Sequence, residues 1–450
     1  MSHHQSSLLD KTIQQVKDYL ENQDTMPVVP EKETIKSLDQ LDFDLPKAST
    51  SSEQVMDLLH EVGSPGTVTS GGGRYYGFVI GGTLPVALAA HCLSGAWDQC
   101  AGLQVLSPVG EKLEIVAGRW LKELLGLPPQ SGTGFVTGAT MGNFTGLATA
   151  RHSILKELGW NVEAQGLYGA PEIQVVVGEE VHVSILKALA LLGFGSERVV
   201  RLPVDNQGRI APETFSFESK PTIVCLQAGN VDSGSCDHFE DLIPKAKASS
   251  AWVHVDGAFG LWAAASDNYK HLVKGVELAD SWSIDLHKWL NVPYDSGIAI
   301  CRYPELQRAA MSVNAAYLPP GTPGPYQFTP GLSRKARGVE AYAALYGLGS
   351  SGVSELIDRS CRHAKTFAEG LQRAGYQVLN QVVLNQVLVN FGERTSEIIE
   401  AIQEDRTCWC GGTNWQGKEA MRISVSSWKT SDEDVERSLA AIISIARQFS

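Results

Sequence analysis

Apolar residues recur along this chain with two different periods, and the changes of period divide it into three parts. Near the N-terminus "SLLDKTIQQVKDYLEN" and "SSEQVMDLLHEVGS" repeat at helical spacing, which predicts two amphipathic helices joined by a Pro- and charge-rich stretch. They end in the loop "GSPGTVTSGGG". From about residue 73 to about 345, short apolar runs alternate with helical patterns. The strand candidates there are "GFVTG", "IQVVVG", "TIVCLQAG", "AWVHVDGA", "DSWSID" and "GIAIC". That alternation predicts an α/β fold, a mainly parallel sheet with crossover helices. The remainder combines the helices "SELIDRSCRHAKTFAEGLQRAG" and "DEDVERSLAAIISIARQF" with the strands "QVLVNF" and "AMRISVS". The expected organisation is an N-terminal helical segment (1–72), a large domain (73–345) and a smaller C-terminal α+β domain (346–450). The N-terminal helices cannot form a core alone, so they are expected to pack on another surface, with a partner subunit as the natural one.

Composition narrows the function classes. The net charge of −13 argues against a nucleic-acid partner, which needs a basic face. Lys and Arg are scattered, with no polybasic block for a membrane surface. No apolar run reaches the roughly 18–20 residues that span a bilayer. The polar N-terminus lacks a signal-peptide core, so a cytoplasmic location is the default expectation. The eight cysteines are dispersed and read as reduced thiols; "CWC" at Cys408–Cys410 has no second Cys/His pair at ligand spacing, so no metal is expected.

Four positions carry chemistry. "GFVTGATMGNFTGLATARHSIL" is a strand, a Gly/Thr-rich turn and a helix, and the turn offers unpaired amides from Thr137 to Thr140 to an anion. It is neither a Walker loop nor a dinucleotide fingerprint. "VVVGEEVHVSILKALALLGFG" places His182 near a helix start at the C-terminal end of a strand. "AWVHVDGAFG" ends an apolar strand on Asp256, where a carboxylate must be paired or hydrogen-bonded. "DSWSIDLHKWLNVPYDSG" puts Lys288 after another strand, in a place where an amine is unusual. In a doubly wound sheet all four lie at strand carboxyl ends, where such folds bind ligands. An anion cradle, an aromatic ring, a carboxylate and an amine are together the needs of pyridoxal 5′-phosphate (PLP).

These blocks resemble the group II PLP-dependent decarboxylases, the family of aromatic L-amino acid, histidine and glutamate decarboxylases. "HVDGAFG" is similar to the family's HVDAAxxG, and "DLHKWLNVPYDSG" to its N/D-x-HKW block followed by (F/Y)-D. "FVTGATMGNFTGLATAR" is similar to the phosphate segment TSGGSEAN, and "RYYGFVIGGTLPVALAA" to the family's N-terminal substrate-side segment. The resemblance implies fold type I of the PLP-dependent transferases, the aspartate aminotransferase-like fold. It implies Lys288 as the Schiff-base lysine, Asp256 as partner of the pyridinium nitrogen, His182 stacked on one ring face and Ala258 on the other. Ala139, Thr140 and His287 would hold the phosphate, with Asn230 near the ring oxygen. Tyr317, in "NAAYLPPGTPGPYQFTP", stands where the family has a loop tyrosine that protonates Cα; Tyr326 is the rival. Two departures are visible: Thr140 and Met141 replace the family's Ser and Glu or Ala, and Asp285 stands where some relatives have Asn.

The implied activity is decarboxylation of an L-amino acid to an amine and carbon dioxide by a homodimer with shared active sites. Tyr75, Tyr76, Phe78 and Trp97 are candidates for an apolar substrate pocket, favouring an aromatic or large apolar side chain, with Arg334 as a further substrate-side candidate. The alternatives are an aldehyde synthase, another carbon–carbon or carbon–sulfur lyase of the same fold, and a degenerate scaffold subunit.

Overall fold

The computed structural model describes residues 2–312 and 324–449. A seven-stranded sheet forms its centre: β1 (Gly132–Val136), β2 (Gln174–Gly178), β3 (Val200–Leu202), β4 (Thr222–Gln227), β5 (Trp252–Asp256), β6 (Ser281–Asp285) and β7 (Gly297–Cys301), in the order β1-β7-β6-β5-β4-β2-β3. From β3 to β6 every neighbouring pair is parallel. Every residue of β4 to β7 is buried, as expected of strands covered on both faces. The run "GIAIC", expected as one more crossover strand, is instead antiparallel to both β6 and β1. Only residues 286–296 separate it from β6, too few for a crossover connection.

Register aligns the functional ends. Gln227 pairs with Asp256, Asp256 with Ser283, Asp285 with Gly297, and Gly297 with Val136. The carboxyl ends of β1, β4, β5 and β6 therefore share one edge. Close approach there depends on glycine: a Cβ on Gly297 would lie 2.6 Å from the Gly138 Cα.

A second, antiparallel sheet comprises β8 (Gln377–Val378), β9 (Gln386–Asn390), β10 (Gly411–Trp415) and β11 (Lys418–Ser424), ordered β10-β11-β9-β8. The helix Gly338–Arg373 runs across position 345 and bends at Gly349, whose φ is 60°. Residues just after 73 reach this second sheet: the Tyr76 amide donates to the Trp409 carbonyl and the Ser424 amide to the Tyr76 carbonyl. On the N-terminal helices Ser2–Asn22 and Ser52–Leu58, Leu9, Ile13, Val16 and Val55 are exposed. Among the described residues no helix is long and apolar enough to cross a membrane.

Candidate active site

The edge where four strands end gathers the chemistry. After β1, the helix Ala139–Glu157 begins at Gly138, and its first intrahelical bond runs from the Gly142 amide to the Gly138 carbonyl. The amides of Ala139, Thr140 and Met141 precede that bond and so have no intrahelical acceptor. The Ala139 amide donates to Asp285 Oδ1 at 2.5 Å. A side chain at Gly138 would come within 3.0 Å of His287 Cε1, so glycine keeps this cradle open.

Beyond β6 the chain turns through His287, Lys288 and Trp289. Lys288 Nζ lies 3.1 Å from Asp285 Oδ2, with its side chain 16% exposed. Trp289 is buried and its indole donates to Ser360 Oγ at 3.1 Å, which anchors the turn from beneath. Asn291, in the left-handed region at φ 54°, donates to the carbonyls of Trp289 and Ser426 and accepts from the Trp428 amide. One side chain thus ties the lysine turn to the segment that follows β11. His287 Nδ1 accepts from the Ser296 amide at 3.1 Å, which leaves Nε2 on the cradle side, 3.4 Å from Asp285 Oδ1. Tyr294 stacks on the His287 ring with centroids 4.3 Å apart.

Asp256 ends β5 almost fully buried, and its hydrogen bonds compensate for the lost water. Oδ2 accepts from Asn143 Nδ2 at 3.0 Å and from Ser184 Oγ at 3.2 Å, and Oδ1 from the Ala258 amide at 3.2 Å. His182 caps the helix Val183–Leu191, with Nδ1 accepting from the Ser184 amide at 3.2 Å. That bond places the neutral ring's proton on Nε2 and fixes the ring plane. Burial lowers the His182 pKa, with Asp256 opposing.

Behind Asp256 lies His254, fully buried, its pKa pushed from 6.5 down to about 4 by burial, with Asp256 opposing. The unfolded chain therefore takes up a proton between these two values while the folded chain does not. The stabilisation is complete above pH 6.5 and is lost as pH falls toward 4, by roughly 3 kcal/mol from this group alone. The urea midpoint is expected to fall across that window in the wild type and less steeply in His254→Gln. An equal slope in both proteins would assign the acid sensitivity elsewhere.

The proposed substrate residues part company. Tyr75 stacks on Trp409 with centroids 5.0 Å apart, and Phe78 stacks on the same indole at 5.4 Å. Phe78 is 61% exposed, and Phe78 and Val79 both hold positive φ, a strained backbone for two non-glycine residues. The strand of chain they lie on presses against the lysine turn, where Gly81 meets the Lys288 carbonyl and the Leu84 amide donates to the Asn291 carbonyl. Tyr76 instead points into the core beneath the second sheet, its hydroxyl against Ser438 and its ring edge-on to Phe367. Trp97 ends the helix Pro85–Trp97 and is not part of the aromatic group around Trp409. Arg334 forms a bidentate pair with Glu114, both bonds 2.6 Å, with both side chains buried. Arg334→Ala would strand the Glu114 carboxylate and is expected to cost about 3–5 kcal/mol in urea unfolding; a loss under about 1 kcal/mol would contradict a structural role. Asn230 spends its amide on the backbone: Oδ1 accepts from the Asp232 and Ser233 amides, and Nδ2 donates to the Glu180 carbonyl beside His182. Tyr326 is buried in the turn Pro325–Phe328, and Tyr317 lies outside the described residues.

Several side chains here were not singled out from the sequence: Asn143, Ser184, Asn291, Tyr294 and Trp409. Asn143 had a signal, since it follows Ala139 by one helical turn and so shares its face. Trp409 had none, because only the folded chain brings it to residues 75–78.

With both sheets and this edge in view, the molecule is a PLP-dependent protein of fold type I. Its fold matches the crystal structure of Oryza sativa TDC with PLP and tryptamine at a TM-score of 0.91 and 20% identity, covering 100% of this chain and 99% of that one. The family model described as the pyridoxal-dependent decarboxylase conserved domain matches residues 34–391, and the chain belongs to that family. Among curated relatives, the aromatic-L-amino-acid decarboxylase of Bacillus atrophaeus is 23% identical over 84% of this chain and 82% of its own. The aspartate 1-decarboxylase of Aliivibrio fischeri is 30% identical over 53% of this chain and 47% of its own. The protein is a carboxy-lyase that uses PLP to decarboxylate an amino acid.

The residues fit that cofactor: a cradle open at Gly138, a buried hydrogen-bonded carboxylate and a strand-end amine face one edge. When bound, PLP supplies an electron sink for the pair released as carbon dioxide leaves.

Proposed function

We propose that this chain decarboxylates an aromatic or large apolar L-amino acid. The observation that carries the reading is the aromatic wall of Tyr75, Trp409 and Phe78, set beside the turn that bears Lys288. Lys288 holds the cofactor's aldehyde carbon, and Asp256 faces its ring nitrogen as a carboxylate. His182 and Ala258 cover the two ring faces, with Asn230 shaping the loop beside His182. The Thr140 amide and His287 Nε2 would hold the phosphate, joined by the Ala139 amide on exchanging Asp285 Oδ1 for a phosphate oxygen. Tyr317 delivers the proton to the substrate's Cα once the carboxylate has gone. Phe78, open to solvent and fixed by strained backbone, contacts the substrate side chain.

The exposed apolar stripe on the N-terminal helices supports a homodimer, in which a second copy covers Leu9, Ile13 and Val16. Residues 1–72 act as that clamp, 73–345 hold the cofactor and 346–450 close the site from the other side, in a cytoplasmic enzyme.

A panel of L-amino acids with amine detection tests the reading. Tryptophan, tyrosine or phenylalanine is expected to give the corresponding amine fastest, and Phe78→Ala to raise KM several-fold with a smaller change in kcat. Preference for L-aspartate would overturn the substrate class, and aldehyde with ammonia and peroxide in place of amine would overturn the reaction.

A further inference from the structure

Beneath Asp256 runs a line of hydrogen bonds in which every donor points the same way. Trp252 Nε1 donates to Ser281 Oγ at 3.0 Å, and Ser281 Oγ lies 2.8 Å from His254 Nδ1. His254 Nε2 lies 2.9 Å from Asn143 Oδ1, and Asn143 Nδ2 donates to Asp256 Oδ2 at 3.0 Å. The carboxylate can only accept, so the Asn143 amide must present nitrogen to Asp256 and oxygen to His254. His254 must then donate from Nε2, and its Nδ1 accepts the Ser281 proton. Ser283 Oγ also donates to Asn143 Oδ1, which holds the amide in that orientation from a second side. Ser281, His254 and Asn143 are buried, so water cannot substitute for any link.

We infer that His254 and Asn143 are positioning residues that set Asp256 for the cofactor, acting through this directed relay from Trp252. The inference rests on the proposed role of Asp256 as partner of the ring nitrogen. Aligned donors polarise one another in a buried chain, so the Asn143 amide is a stronger and better-aimed donor than an isolated one. Asp256 is thereby fixed in rotamer. The line spans two strands and one helix: Trp252 and His254 on β5, Ser281 and Ser283 on β6, and Asn143 in the first turns of the cradle helix. It therefore also ties the carboxylate's position to that of the phosphate cradle. Loss of the His254 donor leaves Ser283 alone holding the Asn143 oxygen, so the amide is less firmly aimed at the carboxylate.

Cofactor titration of the full-length protein tests this, read by the visible absorbance of bound PLP, with kcat and KM measured beside it. His254→Phe keeps the ring's bulk and removes both polar atoms; its PLP dissociation constant is expected to rise tenfold or more. His254→Gln can accept from Ser281 and donate to Asn143, and is expected to stay within about threefold of wild type. Asn143→Asp nearly preserves shape but sets a second carboxylate against Asp256, and is expected to weaken PLP binding at least tenfold at pH 8. Equal losses in His254→Phe and His254→Gln would reduce His254 to packing and overturn the relay, as would wild-type affinity in either His254→Phe or Asn143→Asp. If His254→Phe does not fold, Asn143→Asp decides alone. Failure of the underlying reading looks different: Asp256→Asn would then bind PLP and turn over as the wild type does.

Discussion

Lys288→Ala is expected to lower kcat by at least about a thousandfold and to abolish the visible absorbance that PLP acquires on the wild-type protein. The amine lies just past the end of β6, at the edge where β1, β4 and β5 also end, and its turn is held from several directions by Trp289, Asn291 and Gly81. On the proposed assignment alanine removes the covalent attachment point, the amine that stands 3.1 Å from Asp285. It does not strand Asp285, which keeps the Ala139 amide and the nearby His287 ring. The fold is therefore expected to survive, with a melting temperature within a few degrees of wild type. Steady-state rates beside absorbance spectra separate the two effects. A variant that is folded and retains more than about a tenth of the rate would contradict the assignment.

Asp256→Asn is expected to cost roughly a hundred- to a thousandfold in kcat, the range found when a proton-holding group is removed. Size is preserved, so the loss reports charge. The ring nitrogen keeps its proton only while a negative partner faces it, and a neutral amide supplies none. The surroundings penalise the amide further, because Asn143 Nδ2 and Ser184 Oγ both direct hydrogens at the position of Oδ2. An amide nitrogen there would meet donors, and an amide oxygen there would turn its nitrogen toward the Ala258 amide. Cofactor affinity is expected to fall together with kcat. Unchanged rates in Asp256→Asn would place the partner of the ring nitrogen elsewhere.

The parts of the site readable from sequence are those where local chemistry and strand ends coincide. "HVDGA" and "DLHKW" each end an apolar strand in a polar group that has no structural reason to be buried, and parallel pairing then sets them side by side. The direction of β7 was also within reach, since residues 286–296 cannot hold a crossover helix. What eluded sequence reasoning depends on contacts between distant segments. Tyr75 and Tyr76 are neighbours with similar chemistry, yet alternation along the chain sends one to Trp409 and the other into the core with Phe367. Arg334 offered a cation without showing that Glu114, over two hundred residues earlier, already holds it. Asn143 read as a small polar residue in a helix, and its importance emerges only when His254 and Asp256 arrive on its two sides.

The most direct measurement of the central claim, that Lys288 carries the cofactor of this carboxy-lyase, is peptide mapping after borohydride reduction of the PLP-loaded protein. Hydride adds across the carbon–nitrogen double bond that joins PLP to its lysine and converts it to a stable secondary amine. Mass spectrometry is expected to find the pyridoxyl group on the peptide containing "DLHKWLNVPYDSG", at Lys288, in proportion to the activity lost. A pyridoxyl group on another lysine, with Lys288 unmodified, would contradict the account.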